Sequence, residues 1–316
     1  MKICVLDTNT VTKGDVSLTP LEQFGEVTYH DMLPAAEVIE AAKDSEVIIC
    51  NKTRITAEIM DACPNLKFIT LFATGYNNID IAAARERGIV VSNTPDYSTA
   101  SVAQHTFAMI LELAGNLSLY NASVKRGDWV KSKKFCYFSY PFTELSGKTL
   151  GIIGYGTIGR AVGEIAKSFG MRVVANARTP KTAEGVEFAS KEQVIASADF
   201  LTLHCPLNDG TRGLMNRETL ALMKPTAYLI NTARGGVVEE EALCEALKFG
   251  TIAGAAIDVL DEEPMPDGHP YLSAPNMIIT PHVAWAAVES RTRLIGRVAD
   301  NIKAFQEGNP INVVNN

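Results

Sequence analysis

Apolar residues come in short, nearly unbroken runs, and between them the apolar positions recur every three or four residues. Lys2 to Asp7, Glu26 to His30, Val47 to Asn51, Phe68 to Ala73 and Ile89 to Asn93 read as strands. Their continuous hydrophobicity is that of strands buried on both faces of a parallel sheet. Helices fit between them: Thr56 can cap Ala57 to Ala62 ahead of Pro64, and Asp80 can cap Ile81 to Arg87 ahead of Gly88. A second series starts at Gly147, with strands at Thr149 to Ile153, Arg172 to Asn176, Phe200 to Cys205, Ala227 to Asn231, Ile252 to Asp258 and Met277 to Thr280. Strand and helix alternation over this length predicts βαβ units and two α/β domains. Asn93-Thr94-Pro95-Asp96 is a plausible hinge, and Val102 to Tyr120 reads as helical. Lys131 to Thr143 reads as an irregular aromatic excursion. Ala286 to Glu307 reads as one amphipathic helix with Val288, Leu294, Ile295, Val298, Ile302 and Phe305 inward.

Composition narrows the function class. The 316 residues, 47% hydrophobic and 21% charged, suit two ordinary soluble domains rather than a disordered or fibrous chain. No apolar run reaches the ~18 residues of a membrane span, because His105, Glu112 and Asn116 interrupt the richest stretch. Ile3 to Leu6 is too short for a secretory signal, so the expected location is cytoplasmic. A net charge of −7 argues against nucleic-acid and anionic-membrane partners. The six cysteines and five histidines lack metal-ligand spacing, which gives no support for a metal site.

Gly154-Tyr155-Gly156-Thr157-Ile158-Gly159 is a GxGxxG loop between a strand, Leu150 to Ile153, and an amphipathic helix that Gly170 ends. Its first glycine permits the turn, the second lets backbone approach a pyrophosphate, and the third packs helix on strand, which aims helix N–H groups at the anion. A glycine turn in an unrelated βα unit is the alternative. The following strand should end in Asp or Glu where NAD is preferred, yet Ala177-Arg178-Thr179 stands there. An arginine and a hydroxyl suit a 2′-phosphate, which puts NADP(H) ahead of NAD(H), unless Arg178 is simply a solvated loop residue.

Four further segments fall at expected strand ends: Ala73 to Asp80, Asn231 to Gly236, Asp258 to Pro264 and Pro281 to Ala286. Together with the glycine loop, the chain resembles the D-isomer-specific 2-hydroxyacid dehydrogenases over essentially its whole length. The Pro-His-Val-Ala-Trp-Ala stretch and Phe135-Cys136-Tyr137-Phe138 place the resemblance nearest the glycerate dehydrogenase, or hydroxypyruvate reductase, branch. The resemblance implies two Rossmann-like doubly wound parallel-sheet domains separated by a cleft. Residues 1–98 plus 288–316 would form a flavodoxin-like substrate-binding domain, and 99–287 the dinucleotide-binding domain. It also implies a homodimer, with Val102 to Leu119 as a candidate interface helix whose apolar face burial inside the monomer explains equally well.

By the same resemblance Arg234 is the substrate arginine, Glu263 the acidic partner and His282 the acid/base, with Glu262 as runner-up to Glu263. The chemistry fits these types. Arginine offers a permanently charged planar fork for a carboxylate, histidine titrates near neutrality, and a carboxylate beside an imidazole fixes its orientation. Each could otherwise be an ordinary turn, core or surface residue. Thr74 and Gly75 match the loop whose backbone N–H groups hold the substrate carboxylate, and Trp285 would sit near the substrate or else anchor a core. Cys205, Pro206, Thr232, Ala233, His282 and Ala284 would line the cofactor, and Asp258 would bond the nicotinamide carboxamide. The expected activity is hydride transfer between NAD(P)H and a small 2-keto acid, first hydroxypyruvate to D-glycerate, then glyoxylate. A bulkier 2-keto acid, or a dinucleotide-sensing binding protein related to corepressors, is the alternative.

Overall fold

A computed structural model describes residues 1–179 and 181–316, which fall into two compact units, Met1–Ser98 with Trp285–Asn316, and Thr99–Ala284. In the first, five parallel strands run in the order β2-β1-β3-β4-β5: β1 is Lys2–Val5, β2 Glu26–Tyr29, β3 Val47–Cys50, β4 Phe68–Leu71 and β5 Val90–Ser92. The unbroken apolar runs serve two cores. Ile3, Val5, Val47 and Ile49 point to one face, and Cys4, Leu6, Ile48 and Cys50 to the other, as the two-residue period of a strand requires. Thr56 and Asp80 cap their helices as expected, accepting from the N–H groups of Ile59 and Ala83.

The chain re-enters this unit at Trp285 rather than at 288. The indole packs edge-on to Tyr97, with ring centroids 6.2 Å apart, and joins the core under the final helix, Val288–Gln306. Leu294, Ile295, Val298 and Ile302 of that helix are buried, and Phe305 stacks on Phe68 at 4.4 Å. Val288, expected inward, is 48% exposed. The first turn is docked instead by Ser290, whose hydroxyl donates to the Tyr97 carbonyl at 3.1 Å.

The second unit holds seven parallel strands in the order β12-β11-β10-β9-β6-β7-β8. They are β6 Thr149–Ile153, β7 Arg172–Asn176, β8 Val186–Phe188, β9 Phe200–Leu203, β10 Tyr228–Asn231, β11 Gly254–Ile257 and β12 Met277–Ile279. The order reverses between β6 and β9, so connections from these neighbours leave on opposite faces and open a crevice at their carboxyl ends. The edge strand β8 escaped the sequence pattern because its three residues centre on Glu187. The expected helix Val102 to Tyr120 is two helices, Thr99–Gly115 and Leu117–Lys125. Asn116 separates them in the left-handed region (φ 51°) and donates its amide to the Pro141 carbonyl. Much of the apolar face of the first is spent inside the unit, through Ala103, Phe107, Met109 and Ile110 among others. No helix among the described residues is long and apolar enough to cross a membrane.

Candidate active site

The glycine loop follows β6 directly. Gly154 needs its positive φ of 97°, and a Cβ there would lie 2.6 Å from the backbone of His204 and Cys205 at the end of β9. A Cβ on Gly159 would lie 2.3 Å from the Gly154 carbonyl oxygen, so only glycine lets the helix Thr157–Ser168 sit this close to the strand. Gly156 is different, because nothing lies within 4 Å of the position its Cβ would take. The helix begins at that opening, where its first N–H groups have no partner within the helix. An open space walled by backbone and facing a helix N-terminus fits the pyrophosphate of a dinucleotide.

The loops after β10, β11 and β12 carry the candidate chemistry. Asn231, buried at the end of β10, folds the first: its amide donates to the Arg234 carbonyl at 2.9 Å and its Oδ1 accepts from Ala233 N–H at 3.0 Å. Arg234 is half-buried, with one guanidinium nitrogen on the Ala233 carbonyl. The next residue locks this loop to the one after β11. A Cβ on Gly235 would fall 1.8 Å from the Leu260 carbonyl carbon. In that second loop Glu263 Oε1 accepts from Leu260 N–H at 2.9 Å, and Glu240 Oε1 accepts from Asp261 N–H at 3.0 Å. Glu263 Oε2 lies 2.6 Å from His282 Nδ1. An ionised carboxylate only accepts, so Nδ1 carries the donated proton and Nε2 is left to exchange one with a bound molecule. Glu263 precedes a cis peptide bond to Pro264.

The chain as a whole has counterparts among known proteins. The family model described as "D-isomer specific 2-hydroxyacid dehydrogenase, NAD binding domain" matches residues 107–284. A hydroxypyruvate reductase from Blautia hydrogenotrophica is 40% identical over 321 residues, covering all of both chains. The chain belongs to the D-isomer specific 2-hydroxyacid dehydrogenase family. A glycerate dehydrogenase from Methylorubrum extorquens is 42% identical over 288 residues, 90% of each chain. The solved structure of an NADPH-dependent glyoxylate/hydroxypyruvate reductase from Sinorhizobium meliloti, in complex with NADP and malonate, superposes with a TM-score of 0.85 at 32% identity, covering 99% of this chain and 96% of that one. As a member of this family the protein is an NAD(P)-dependent oxidoreductase that interconverts a 2-keto acid and a D-2-hydroxy acid, and it carries a nicotinamide-dinucleotide-binding domain.

In this dehydrogenase the remaining candidate residues fall in four groups. Cys205 and Pro206 follow β9 beside Gly154, and Thr232 is buried with its hydroxyl 3.1 Å from that of Thr106. Asp258 is buried after β11, and its two carboxylate oxygens accept from the N–H groups of Val283 and Ala284, both at 2.9 Å. Ala177, Arg178 and Thr179 follow β7, the last two exposed. Thr74, Gly75 and Trp285 belong to the first unit. There Thr74 Oγ1 donates to the Thr94 carbonyl, which spends the side chain on the fold.

Two positions went unassigned in the sequence. His204 stands at the end of β9 against Gly154, with Nε2 2.9 Å from Thr202 Oγ1, and burial pushes its pKa down to about 3. Its ring is therefore neutral at neutral pH. The signal was its place at a predicted strand end, directly before Cys205-Pro206. Lys181 Nζ donates to the Tyr155 carbonyl at 2.8 Å, which sets a second cation against the glycine loop near Arg178 in sequence.

Proposed function

We propose that the protein reduces hydroxypyruvate to D-glycerate, accepts glyoxylate as a second substrate, and prefers NADPH. The observation that carries the chemistry is the 2.6 Å contact between Glu263 and His282 Nδ1. In this reading Arg234 holds the substrate carboxylate and polarises the adjacent carbonyl with a charge that no accessible pH removes. His282 delivers the proton on Nε2 to the carbonyl oxygen as C2 becomes an alcohol, and takes it back in the oxidative direction. Glu263 keeps the ring oriented and stabilises the imidazolium through Nδ1. The dinucleotide, when bound, supplies the hydride at C2. The substrate roles that resemblance gives Thr74, Gly75 and Trp285, and the nicotinamide role it gives Asp258, stay within this proposal.

NADPH preference is supported by what stands after β7. Ala177 occupies the place of the acid that would repel a 2′-phosphate, while Arg178 and Lys181 supply positive charge. Steady-state kcat/KM for hydroxypyruvate, glyoxylate, pyruvate and a branched 2-keto acid, each with NADPH and NADH, tests both parts. Hydroxypyruvate with NADPH should rank first, at least about tenfold over NADH, a margin of ~1.4 kcal/mol. Equal rates with the two cofactors would refute the Arg178 argument, a faster branched acid would refute the substrate, and no turnover at all would favour the dinucleotide-sensing alternative. In Ala177→Asp the ratio of NADPH to NADH efficiency should fall by about tenfold or more, because a carboxylate then faces the phosphate.

A homodimer belongs to the same proposal, but the interface moves. With much of the apolar face of the helix Thr99–Gly115 buried, Leu117, Val130, Phe135, Phe138 and Phe142 form an exposed apolar group close together in the sequence, from 72% to 95% exposed. A run this apolar and this exposed marks an association surface. Sedimentation should give twice the chain mass, and Phe135→Glu with Phe138→Glu should give monomer. A cytoplasmic location, to be checked by cell fractionation, is supported by six unpaired thiols.

A further inference from the structure

His282 is held in the left-handed backbone region (φ 53°), a conformation that a residue with a Cβ keeps only where its surroundings impose it. Asp258 supplies most of what imposes it, with the Thr280 carbonyl also accepting His282 N–H at 3.0 Å. The carbonyl of Asp258 accepts His282 N–H at 2.8 Å, while its carboxylate takes Val283 N–H and Ala284 N–H at 2.9 Å each. Three successive amides of the turn are thus pinned to one buried acid. That acid is itself held from the helix Thr99–Gly115. Thr280 donates its hydroxyl to Asp258 Oδ1 at 2.5 Å. A threonine hydroxyl has one hydrogen, and a carboxylate is the stronger acceptor. The 3.0 Å contact between Thr280 Oγ1 and His105 Nε2 therefore has the histidine as donor. His105 Nε2 is also 3.6 Å from Asp258 Oδ1. One turn earlier on the same helix face, Ser101 donates its hydroxyl to the Ala284 carbonyl at 2.6 Å and closes the far end of the turn.

We propose that His105, acting through Thr280 and Asp258, is a positioning residue for His282: the helix face of Ser101 and His105 buttresses the left-handed turn that presents the imidazole to Glu263 and to substrate. The proposal rests on the reading of His282 as the acid/base. It also gives Asp258 a task inside the protein, because three donors already occupy its carboxylate. Losing the His105 N–H leaves Thr280 and Asp258 free to shift and lets the turn relax. The imidazole then moves by a fraction of an ångström to an ångström, enough to cost proton transfer, while the glycine loop that would hold the pyrophosphate stays whole.

The test compares His105→Leu, His105→Gln, Ser101→Ala, His282→Gln and the double variant His105→Leu/His282→Gln. His105→Leu should lower kcat about 10- to 100-fold, leaving KM for the keto acid and the dissociation constant of the reduced dinucleotide, read by its fluorescence, within about threefold of wild type. His105→Gln keeps an N–H that can reach Thr280 and should recover most of kcat. Added to His282→Gln, the leucine should cost nothing further, since its effect runs through the imidazole. Ser101→Ala should lower kcat severalfold, and it reads the same buttress should the leucine variant fail to fold. Wild-type kcat in both His105→Leu and Ser101→Ala, or a leucine loss that persists in full on top of His282→Gln, overturns the buttress while leaving the acid/base reading intact. Near-normal kcat in His282→Gln overturns the acid/base reading itself.

Discussion

His282→Gln should lower kcat for keto-acid reduction by about 10²- to 10⁴-fold, the range that positioned general acids supply, with dinucleotide affinity nearly unchanged. Glutamine fills much of the same volume and its amide can still donate toward Glu263, so the loss isolates proton exchange at Nε2. The geometry makes the result specific. Glu263 divides its two oxygens between Leu260 N–H and His282 Nδ1, which orients the ring from one side only and commits the other nitrogen to substrate. Glu263→Gln should give a smaller loss than His282→Gln, because the amide oxygen can still accept from Nδ1, while the variant gives up the charge that stabilises the imidazolium and the second acceptor that Leu260 N–H uses. Steady-state kinetics together with fluorescence titration of NADPH check both variants. A His282→Gln enzyme within threefold of wild type would remove the acid/base assignment.

Much of this site was legible in the sequence because its constraints are local. Gly154 answers to its own positive φ and Gly159 to the Gly154 carbonyl, and the alternation of β6, helix and β7 frames them, although the backbone that also bars a Cβ at Gly154 comes from the end of β9. The strands were legible for a related reason, since a run such as Val47–Cys50 can be buried on both faces only inside a parallel sheet. Where the pattern failed, the deciding contact lay far away in the chain. Val288 fits the 3.6-residue period of its helix, but Ser290 docks that turn by bonding Tyr97, nearly two hundred positions earlier. The break at Asn116 depends on the Pro141 carbonyl. His105 carries no motif of its own, and its meaning comes from Thr280 and Asp258, which only the folded sheet brings to the helix. Resemblance named Arg234, Glu263 and His282, while the reason Glu263 can reach His282 belongs to neither segment alone.

Gly235→Ala should therefore be the most damaging single methyl that this site can receive. Its Cβ would lie 1.8 Å from the Leu260 carbonyl carbon, 2.0 Å from the oxygen and 2.2 Å from Asp261 N, all backbone atoms that no rotamer change can clear. The loops of Arg234 and Glu263 would have to part, which strains the Leu260 bond to Glu263 and withdraws the carboxylate from His282. Overpacking of this severity costs about 3 kcal/mol or more, so the second unit should melt roughly 6–12 °C lower, and kcat should fall with it. Gly156→Ala supplies the control from the same unit. Its φ of −87° accommodates alanine and nothing lies within 4 Å of the new methyl, so the melting temperature should stay within about 1 °C. The methyl would instead occupy the space reserved for the pyrophosphate, and the dissociation constant of the dinucleotide should rise about tenfold or more. Calorimetry and cofactor titration of the two variants thus separate a glycine required by the fold from one required by the ligand. A Gly235→Ala protein with wild-type melting and turnover would show that the two loops do not depend on their contact.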